Sequence, residues 1–280
     1  MKPFLKWAGG KNQLLKEIDK YKPKQFNTFY EPFVGAGSVF MHLKNEKTRI
    51  NDLNSELINT YKVVKDHLPY LLEELRIHEN KNSREYFYEL REWDRNGLIS
   101  DKSDVERAAR FIYLNKTCYN GLFRVNSMGQ FNVPYGRQKN PNITNSEVLN
   151  LVSGFLNKNN VLITNKDFSD SVSDAKKGDF IYLDPPYAPL TNNSQNFLGY
   201  TLSGFSNEEQ QRVFNTFLEL DKKGCYVMLS NSDAAVIREL YQDFKKSTYV
   251  VEAKRLINSR SSNRGKINEL IILNYTPEFK

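Results

Sequence analysis

The sequence predicts an α/β protein built on one open sheet of about seven strands, with a mainly helical region inserted between two of them. Three observations lead to this fold class. Short runs of β-forming residues alternate with segments of helical periodicity. Several of these runs end in an acid or a glycine turn, which is where open α/β sheets place their chemistry. Residues 57–157, in contrast, follow a helical pattern almost throughout.

The bulk composition is that of a folded protein with an excess of positive charge. The 280 residues are 39% hydrophobic and 13% aromatic, enough for one large domain or two modest ones. Forty Lys and Arg residues against 33 Asp and Glu residues give a net charge of +7, which favours a polyanionic partner. The two distant cysteines, Cys118 and Cys225, argue against a disulfide scaffold or a paired-cysteine metal site. With no signal-like or membrane-length apolar run, the prediction is a cytoplasmic protein without a metal.

The first candidate site is the segment 4–11, Phe-Leu-Lys-Trp-Ala-Gly-Gly-Lys. Small residues at positions 8–10 permit a tight turn, and a helix is predicted over 12–20. Backbone N–H groups at such a helix start can hold an anion such as a carboxylate. An ordinary loop before a first helix is the alternative.

A glycine loop follows the first predicted strand. Residues 28–38 form a strand that runs into Gly35 and Gly37, and a helix is predicted from Ser38 to Leu43. The glycines would let the backbone approach a ligand closely. The spacing matches neither the dinucleotide fingerprint nor the nucleotide triphosphate loop, so it does not indicate either of those ligands.

The second predicted strand, 48–52, ends in an acid, Asp52. An acid at the tip of the strand after a glycine loop commonly accepts hydrogen bonds from ribose hydroxyls. A cap for the helix that begins near Asn54 is an equally good interpretation of the sequence.

The inserted region contains an unusual distribution of charge. Between Arg107 and Ser146 there is no acid, although basic and aromatic residues alternate. They are Arg107, Arg110, Lys116, Arg124, Arg137, Lys139, Phe111, Tyr113, Tyr119, Phe123, Phe131 and Tyr135. Cations can meet phosphates and aromatic rings can stack on bases, so this span predicts a nucleic-acid surface, with a turn at 119–124. A solvated basic face is the alternative.

Two further strand ends carry candidate ligands. After a strand at 161–164, Asp167 and Phe168 could bond an adenine amino group and pack against its ring. After the apolar strand that begins at Phe180, the chain reads Asp184-Pro-Pro-Tyr187. The prolines end the strand and stiffen the turn. A carboxylate, a free proline carbonyl and a phenol ring held together there can bind a flat heterocycle that carries an amino group.

The rest of the chain predicts three more strands, at 225–230, 248–253 and 269–275, and a capped helix from Ser206 to about Leu220. The polar segment 188–205 is long enough to serve as a lid. The basic loop 254–266 is either a second phosphate contact or a flexible hairpin.

Taken together, these motifs resemble the Dam-like, GATC-specific adenine-N6 DNA methyltransferases of the DpnM and MboI type. The resemblance covers nearly the whole chain and follows the family's alpha motif order, with the glycine loop first, then the insertion, then Asp-Pro-Pro-Tyr. The motifs that carry it are residues 4–11, 31–38, 50–54, 119–126, 130–137 and 184–187. It implies a Rossmann-like class I methyltransferase fold, with a cofactor-binding catalytic domain at 1–56 and 158–280 and a DNA target-recognition domain at 57–157.

The resemblance also implies roles for individual residues. S-adenosylmethionine, which becomes S-adenosylhomocysteine, would be held by Trp7, Ala8, Gly9, Lys11, Glu31, Pro32, Phe33, Gly35, Gly37, Ser38, Asp52, Asp167, Phe168 and Asp184. The catalytic turn would be Asp184, Pro185, Pro186 and Tyr187. DNA would be contacted by Lys6, Tyr119, Asn120, Leu122, Arg124, Asn126, Pro134, Tyr135 and Arg137.

The expected partner is double-stranded DNA, and the expected state is a monomer or weak dimer. The enzyme would belong to a restriction-modification system, with a functional rather than physical partner endonuclease, or act as a solitary methyltransferase. A different methyl acceptor, namely the exocyclic N4 of cytosine, an RNA base or a protein glutamine amide, is a second hypothesis, although the acid at position 184 argues against glutamine. A DNA-binding protein without catalytic activity is the third.

Overall fold

A computed structural model describes residues 1–190, 205–254 and 266–278. These residues form one sheet of seven strands in the order β3-β2-β1-β4-β5-β7-β6. The strands are β1 (Phe29–Glu31), β2 (Thr48–Asn51), β3 (Leu162–Thr164), β4 (Phe180–Leu183), β5 (Tyr226–Ser232), β6 (Thr248–Lys254) and β7 (Lys266–Leu273). Each lies within a few residues of a strand predicted from the sequence, so the expected α/β sheet is confirmed.

The strand directions bring five strand ends to one edge of the sheet. Strands β3, β2, β1, β4 and β5 are parallel, whereas β7 pairs antiparallel with both β5 and β6. The start of β7 therefore lies at the edge where the parallel strands finish. The strand order reverses at β1, which lies between β2 and β4, and ligands bind outside the carboxyl ends of strands at such a switch point.

The described residues also form ten α-helices. They are α1 (Leu15–Tyr21), α2 (Ser38–Leu43), α3 (Ser55–Asp66), α4 (Leu68–Asn80), α5 (Arg84–Glu92), α6 (Asp104–Thr117), α7 (Ser146–Lys158), α8 (Phe168–Ser171), α9 (Asn207–Lys222) and α10 (Ala235–Leu240). The predicted helix over 12–20 is split into a 3₁₀ turn at Lys11–Gln13 and α1, which has no side-chain cap. A capping box of Ser103 and Glu106 is present at the start of α6, and Ser206 caps α9 as predicted.

Alternating strand residues face opposite sides of the sheet and build two cores. Phe180 and Tyr182 of β4 belong to the core that includes buried residues of α1 to α7. Ile181 and Leu183 belong to the other core, which includes residues of α8, α9 and α10. Both faces of β4 are thus covered, which explains why its sequence is apolar throughout.

The predicted insertion lies between β2 and β3 and shares its core with the sheet. Buried residues of α3 to α7 form one continuous cluster with Phe29, Phe180 and Tyr182. Beyond α6, bridges join Cys118 to Tyr135 and Val125 to Phe131, so that residues 118–135 fold back on themselves. The predicted lid and the predicted basic loop fall almost entirely outside the described residues. No described helix has the length and apolar character that a bilayer crossing requires.

Candidate active site

The Asp184 carboxylate lies at the carboxyl end of β4, beside Lys11 from the N-terminal segment. The Nζ atom of Lys11 is 2.8 Å from Oδ1 of Asp184. The contact is a buried ion pair, and a carboxylate oxygen has lone pairs for more than one hydrogen bond. Burial raises the pKa of Asp184 to about 6, and Lys11 opposes that rise. Asp184 is therefore mostly ionised at neutral pH, with an oxygen able to accept a further hydrogen bond.

A buried polar network fixes the turn after Asp184. Gln210 of α9 donates to the Pro186 carbonyl at 2.9 Å, and Asn231 of β5 donates to the Gln210 side chain at 3.0 Å. Asn231 also accepts from the Ala188 N–H at 3.1 Å, while the Ser232 hydroxyl donates to the Ala188 carbonyl at 2.6 Å. These side chains hold the turn on both sides, so the two prolines are not its only source of rigidity.

The Tyr187 ring is held from two directions. Its hydroxyl donates to Oε2 of Glu269, near the start of β7, at 2.8 Å. The Nζ atom of Lys11 lies 4.6 Å from the ring centroid. Burial, together with the nearby negative charges of Asp184 and Glu269, raises the pKa of Tyr187 well above its usual range. The phenol is therefore protonated at any working pH and can donate to Glu269.

The glycine loop is positioned by contacts that leave no room for a side chain. A Cβ atom on Gly35 would lie 2.8 Å from the Trp7 indole, and one on Gly37 would lie 2.2 Å from the Phe40 ring. The Gly37 backbone is left-handed, with φ of 74°. The Tyr61 hydroxyl donates to the Gly35 carbonyl at 2.9 Å. Both predicted glycines are thus required by the local structure.

Two acids support this loop from the ends of neighbouring strands. Glu31 of β1 accepts from the Phe40 N–H at 2.9 Å, and burial raises its pKa well above the usual range. Asp52, after β2, accepts from the N–H groups of Gly35 and Asn54, each at 3.0 Å. The alternative that Asp52 caps the following helix is wrong, because Asn54 is the residue that caps α3. Burial raises the pKa of Asp52, although the two N–H groups oppose the rise.

The Asp167–Phe168 pair begins α8 after β3. Asp167 accepts from the Ser169 N–H at 3.0 Å and pairs with Arg212 of α9 at 2.8 Å. Burial would raise the pKa of Asp167, but the bonds from Ser169 and Arg212 outweigh it and lower the pKa. The Phe168 ring stacks on Phe33, with 5.1 Å between centroids, and the Arg212 guanidinium lies 4.9 Å from it.

The N-terminal segment lies between the sheet and the insertion. The Trp7 indole stacks on Phe123, with centroids 5.0 Å apart and planes at 14°. Gly9 has φ of 74°, and its carbonyl accepts from Lys11 at 2.7 Å. The turn before the predicted helix therefore directs the Lys11 side chain toward Asp184. Trp7 packs against Phe123 of the insertion. The position of Trp7 in the segment 4–11 does not predict this contact.

The residues predicted to bind DNA fall into two groups. Lys6, Tyr119, Asn120, Arg124, Pro134 and Arg137 are exposed. Leu122 and Tyr135 are half-buried, and Tyr135 packs on the buried Phe87 ring at 5.3 Å. The side-chain oxygen of Asn126 accepts from the Met128 and Gln130 N–H groups, so it shapes a turn. Arg124 is held by Asn132 at 2.7 Å.

The polar groups at this edge of the sheet have the chemistry that a cofactor with a carboxylate and a ribose requires. Gly35 and Gly37 pack against the Trp7 and Phe40 side chains, which keeps the loop close to the end of β1. The Ser38 hydroxyl, at the start of α2, is buried and has no partner among the described residues. Asp52 follows β2, which pairs with β1, and Asp167 follows β3, which pairs with β2. Among these same residues, no group of three or more His, Cys, Asp or Glu side chains could hold a metal ion.

This sheet order, with an antiparallel seventh strand and an Asp-Pro-Pro-Tyr turn at the switch-point edge, defines a Rossmann-like methyltransferase. The family model of the D12 class N6 adenine-specific DNA methyltransferases matches residues 7–257. The chain belongs to that family. It is therefore an adenine-N6 DNA methyltransferase, and methyltransferases of this family use S-adenosylmethionine.

Relatives span almost the whole chain. It is 49% identical over 275 residues to the type II methyltransferase M1.LlaDCHI of Lactococcus lactis subsp. cremoris, covering 98% of this chain and 96% of that protein. It is 42% identical over 294 residues to the type II methyltransferase M.MjaIII of Methanocaldococcus jannaschii, covering 98% and 99%. It is 37% identical over 277 residues to the DNA adenine methylase of Escherichia coli K12, covering 98% and 95%. The enzyme class and the DNA substrate predicted from the sequence are confirmed.

Several residues that build this site are not evident in the sequence. Glu269 holds Tyr187, Gln210 and Asn231 hold the turn after Asp184, and Arg212 holds Asp167. Each comes from an element distant in the chain. Their sequence signals are weak, because Asn231 lies between two serines at the end of β5 and Glu269 directly follows Asn268 in β7, while Gln210 is a polar residue on the buried side of α9.

Proposed function

We propose that the protein methylates N6 of adenine in double-stranded 5′-GATC-3′, using S-adenosylmethionine. The observation that carries the proposal is the meeting of Asp184, Lys11 and Tyr187 at the sheet edge, beside a glycine loop that accepts no side chain. The exposed turn 119–124 supports a DNA-reading role for the insertion, which would comprise residues 57–157. Residues 1–56 and 158–280 would form the catalytic domain.

Within this site, Asp184 and the Pro185 carbonyl would accept the two hydrogens of the target amino group. Two acceptors out of the ring plane favour a pyramidal nitrogen, which frees the lone pair that is otherwise delocalised into the adenine. The cofactor supplies an electrophilic methyl group on a sulfonium. Asp184, with a pKa of about 6, can then take the proton that the methylated nitrogen releases. Catalysis is mainly positioning, for which large effective molarities are available.

The cofactor would be held by this chain's own loops. Lys11 and the segment 7–9 would lie near its methionine end, together with Glu31, Pro32 and Ser38. Asp52 would accept from the ribose hydroxyls. Its adenine would be surrounded by Asp167, Phe168 and Phe33. The Phe33 and Phe168 rings stack on each other, so they must either admit the adenine between them or flank it.

The target adenine would leave the duplex and stack on Tyr187, at a cost of about a few kcal/mol for unstacking. Tyr119, Asn120 and Leu122 would fill the gap. The Tyr119 ring is exposed and the Asn120 backbone is left-handed, which suits a turn that enters the DNA double helix. Arg124 would read a guanine, while Lys6, Asn126, Pro134, Tyr135 and Arg137 would complete the contact surface.

We further propose that the enzyme is the modification component of a type II restriction-modification system in the cytoplasm, acting as a monomer or weak dimer. The 49% identity to a type II methyltransferase supports this assignment. A solitary methyltransferase is the second candidate, because the relative in Escherichia coli K12 is named a DNA adenine methylase without a type II designation. An endonuclease gene next to this one, whose product cuts unmethylated GATC, would decide for the first.

The test is methyl transfer from labelled S-adenosylmethionine to matched duplexes that carry GATC or a scrambled site. We expect N6-methyladenine in the GATC duplex alone. Asp184→Ala should abolish methylation and retain DNA binding, whereas an unchanged rate would remove Asp184 from the mechanism. Arg124→Ala should relax the preference for GATC by about 10- to 100-fold, since one bidentate guanine contact contributes about 1–3 kcal/mol of discrimination. Equal label in both wild-type reactions would refute the specificity.

A further inference from the structure

Asn115 of α6 is a buried side chain that joins two surface segments. Its side-chain oxygen accepts from the Lys6 N–H at 2.9 Å. Its amide nitrogen donates to the Lys6 carbonyl at 2.8 Å and to the Gly121 carbonyl at 3.2 Å. Asn115 is 0% exposed, so these three bonds have no competition from water. One amide thus fixes the backbone of both segments.

The two segments also pack directly against each other. A Cβ atom on Gly121 would lie 2.3 Å from the Lys6 side chain, so this side chain packs directly on the Gly121 backbone. One residue further along, Trp7 stacks on Phe123 with 14° between the planes. The stretches 6–7 and 121–123 therefore form one packed unit.

Each segment leads to a different part of the proposed site. The first continues to Lys11, which pairs with Asp184 at 2.8 Å. The second contains the exposed turn proposed to enter DNA. A ligand that orders either segment therefore reduces the conformational freedom that the other must lose on binding its own ligand.

From this geometry we infer that Asn115 is a positioning residue that couples cofactor binding to binding of the target DNA. The inference rests on the proposed assignment of these segments to cofactor and DNA. Asn115 touches neither ligand in this arrangement, and it acts through the backbones of Lys6 and Gly121. The coupling is reciprocal, so each ligand tightens the other by the same factor.

The sharpest variant is Asn115→Asp, which keeps the shape and the acceptor for the Lys6 N–H. It places a carboxylate oxygen against the Lys6 and Gly121 carbonyls, where the amide nitrogen donated before. The matched control is Thr117→Val on the same helix. Thr117 is also 0% exposed, and its hydroxyl donates only within α6, to the Tyr113 carbonyl at 2.7 Å.

The experiment measures S-adenosylhomocysteine affinity by calorimetry with the free enzyme and with the enzyme bound to a GATC duplex. Duplex affinity is measured with and without S-adenosylhomocysteine. For the wild type and Thr117→Val we expect about tenfold tightening in both directions. For Asn115→Asp we expect each ligand to tighten the other by less than about twofold. Enzyme that is irreversibly misfolded lowers the binding stoichiometry in calorimetry and leaves the affinity of the folded molecules unchanged, so such a defect does not alter the ratio of affinities.

Three results would overturn the inference. Tenfold coupling retained in Asn115→Asp would show that Asn115 does not transmit it. An equal loss of coupling in Thr117→Val would show that any buried substitution on α6 is enough to weaken the coupling. A wild-type enzyme that methylates GATC but shows no coupling would refute the inference and leave the proposed function intact. A wild type that methylates neither duplex would instead refute the function.

Discussion

Replacing Lys11 with methionine should move the acid limb of the pH–rate profile upward. The substitution removes the cation 2.8 Å from Asp184 and keeps a side chain of similar length. At an effective dielectric constant of 20, two unit charges at that distance interact by about 6 kcal/mol, which is an upper value. A close cation usually lowers the pKa of a carboxyl group by about 1 to 3. We therefore expect the pKa of Asp184 to rise from about 6 to roughly 8.

The sign follows from the acceptor role of Asp184. Below its pKa the carboxyl group is protonated and one oxygen can no longer accept from the target amine, so the rate falls as the pH falls. At pH 7 the ionised fraction is about 90% for a pKa of about 6, and about 10% for a pKa of roughly 8. Lys11→Met should therefore lose roughly tenfold in rate at pH 7 and recover most of that loss at pH 9.

The assay is single-turnover methylation of a GATC duplex with enzyme in excess, between pH 5 and pH 9.5. Saturating cofactor is essential, because Lys11 also belongs to the proposed cofactor segment and its loss can weaken binding. Lys11→Arg keeps the cation and serves as the control, with an acid limb close to that of the wild type. An acid limb that stays near pH 6 in Lys11→Met would contradict the assignment of that limb to Asp184.

Two further predictions concern the phenol of the catalytic turn and the glycine loop. Tyr187→Phe and Glu269→Ala should each lower kcat about 5- to 10-fold through loss of one hydrogen bond, with little further loss in the double variant. Glu269→Gln keeps an acceptor and should lose less, and fully additive losses would show that the two side chains act separately. Gly37→Ala should lower the Tm at least twice as much as Gly97→Ala in thermal unfolding. Both glycines have positive φ, but only Gly37 lacks space for a Cβ atom, and equal shifts would contradict the clash.

The framework of the site could be predicted because its signals are local. Each acid or glycine turn follows directly after a run of β-forming residues, so Gly35, Asp52, Asp167 and Asp184 could be assigned to one sheet edge without coordinates. The structure places all four after parallel strands. Composition then favours a polyanionic partner, and the motif set identifies the family.

The supporting residues could not be predicted because their partners are distant in the chain. Glu269 bonds Tyr187 across 82 positions, and Asn115 bonds Lys6 across 109. An antiparallel β7 is what brings Glu269 to the catalytic edge, and sequence periodicity does not reveal strand direction. The cap of α3 is a different case, because it is local: Asp52 and Asn54 lie two residues apart, both are good capping residues, and only the backbone geometry shows that Asn54 is the cap.

The continuous core beneath the insertion limits how the target sequence of this enzyme can be redesigned. A graft of residues 57–157 from a methyltransferase of different specificity would replace side chains of the core cluster that contains Phe180 and Tyr182 as well as those proposed to face DNA. Such a chimera must re-establish the interior before it can read a new site. An exchange confined to the exposed positions of 119–137 leaves that interior untouched. A short surface segment, rather than the whole insertion, is therefore the part to exchange when specificities are recombined.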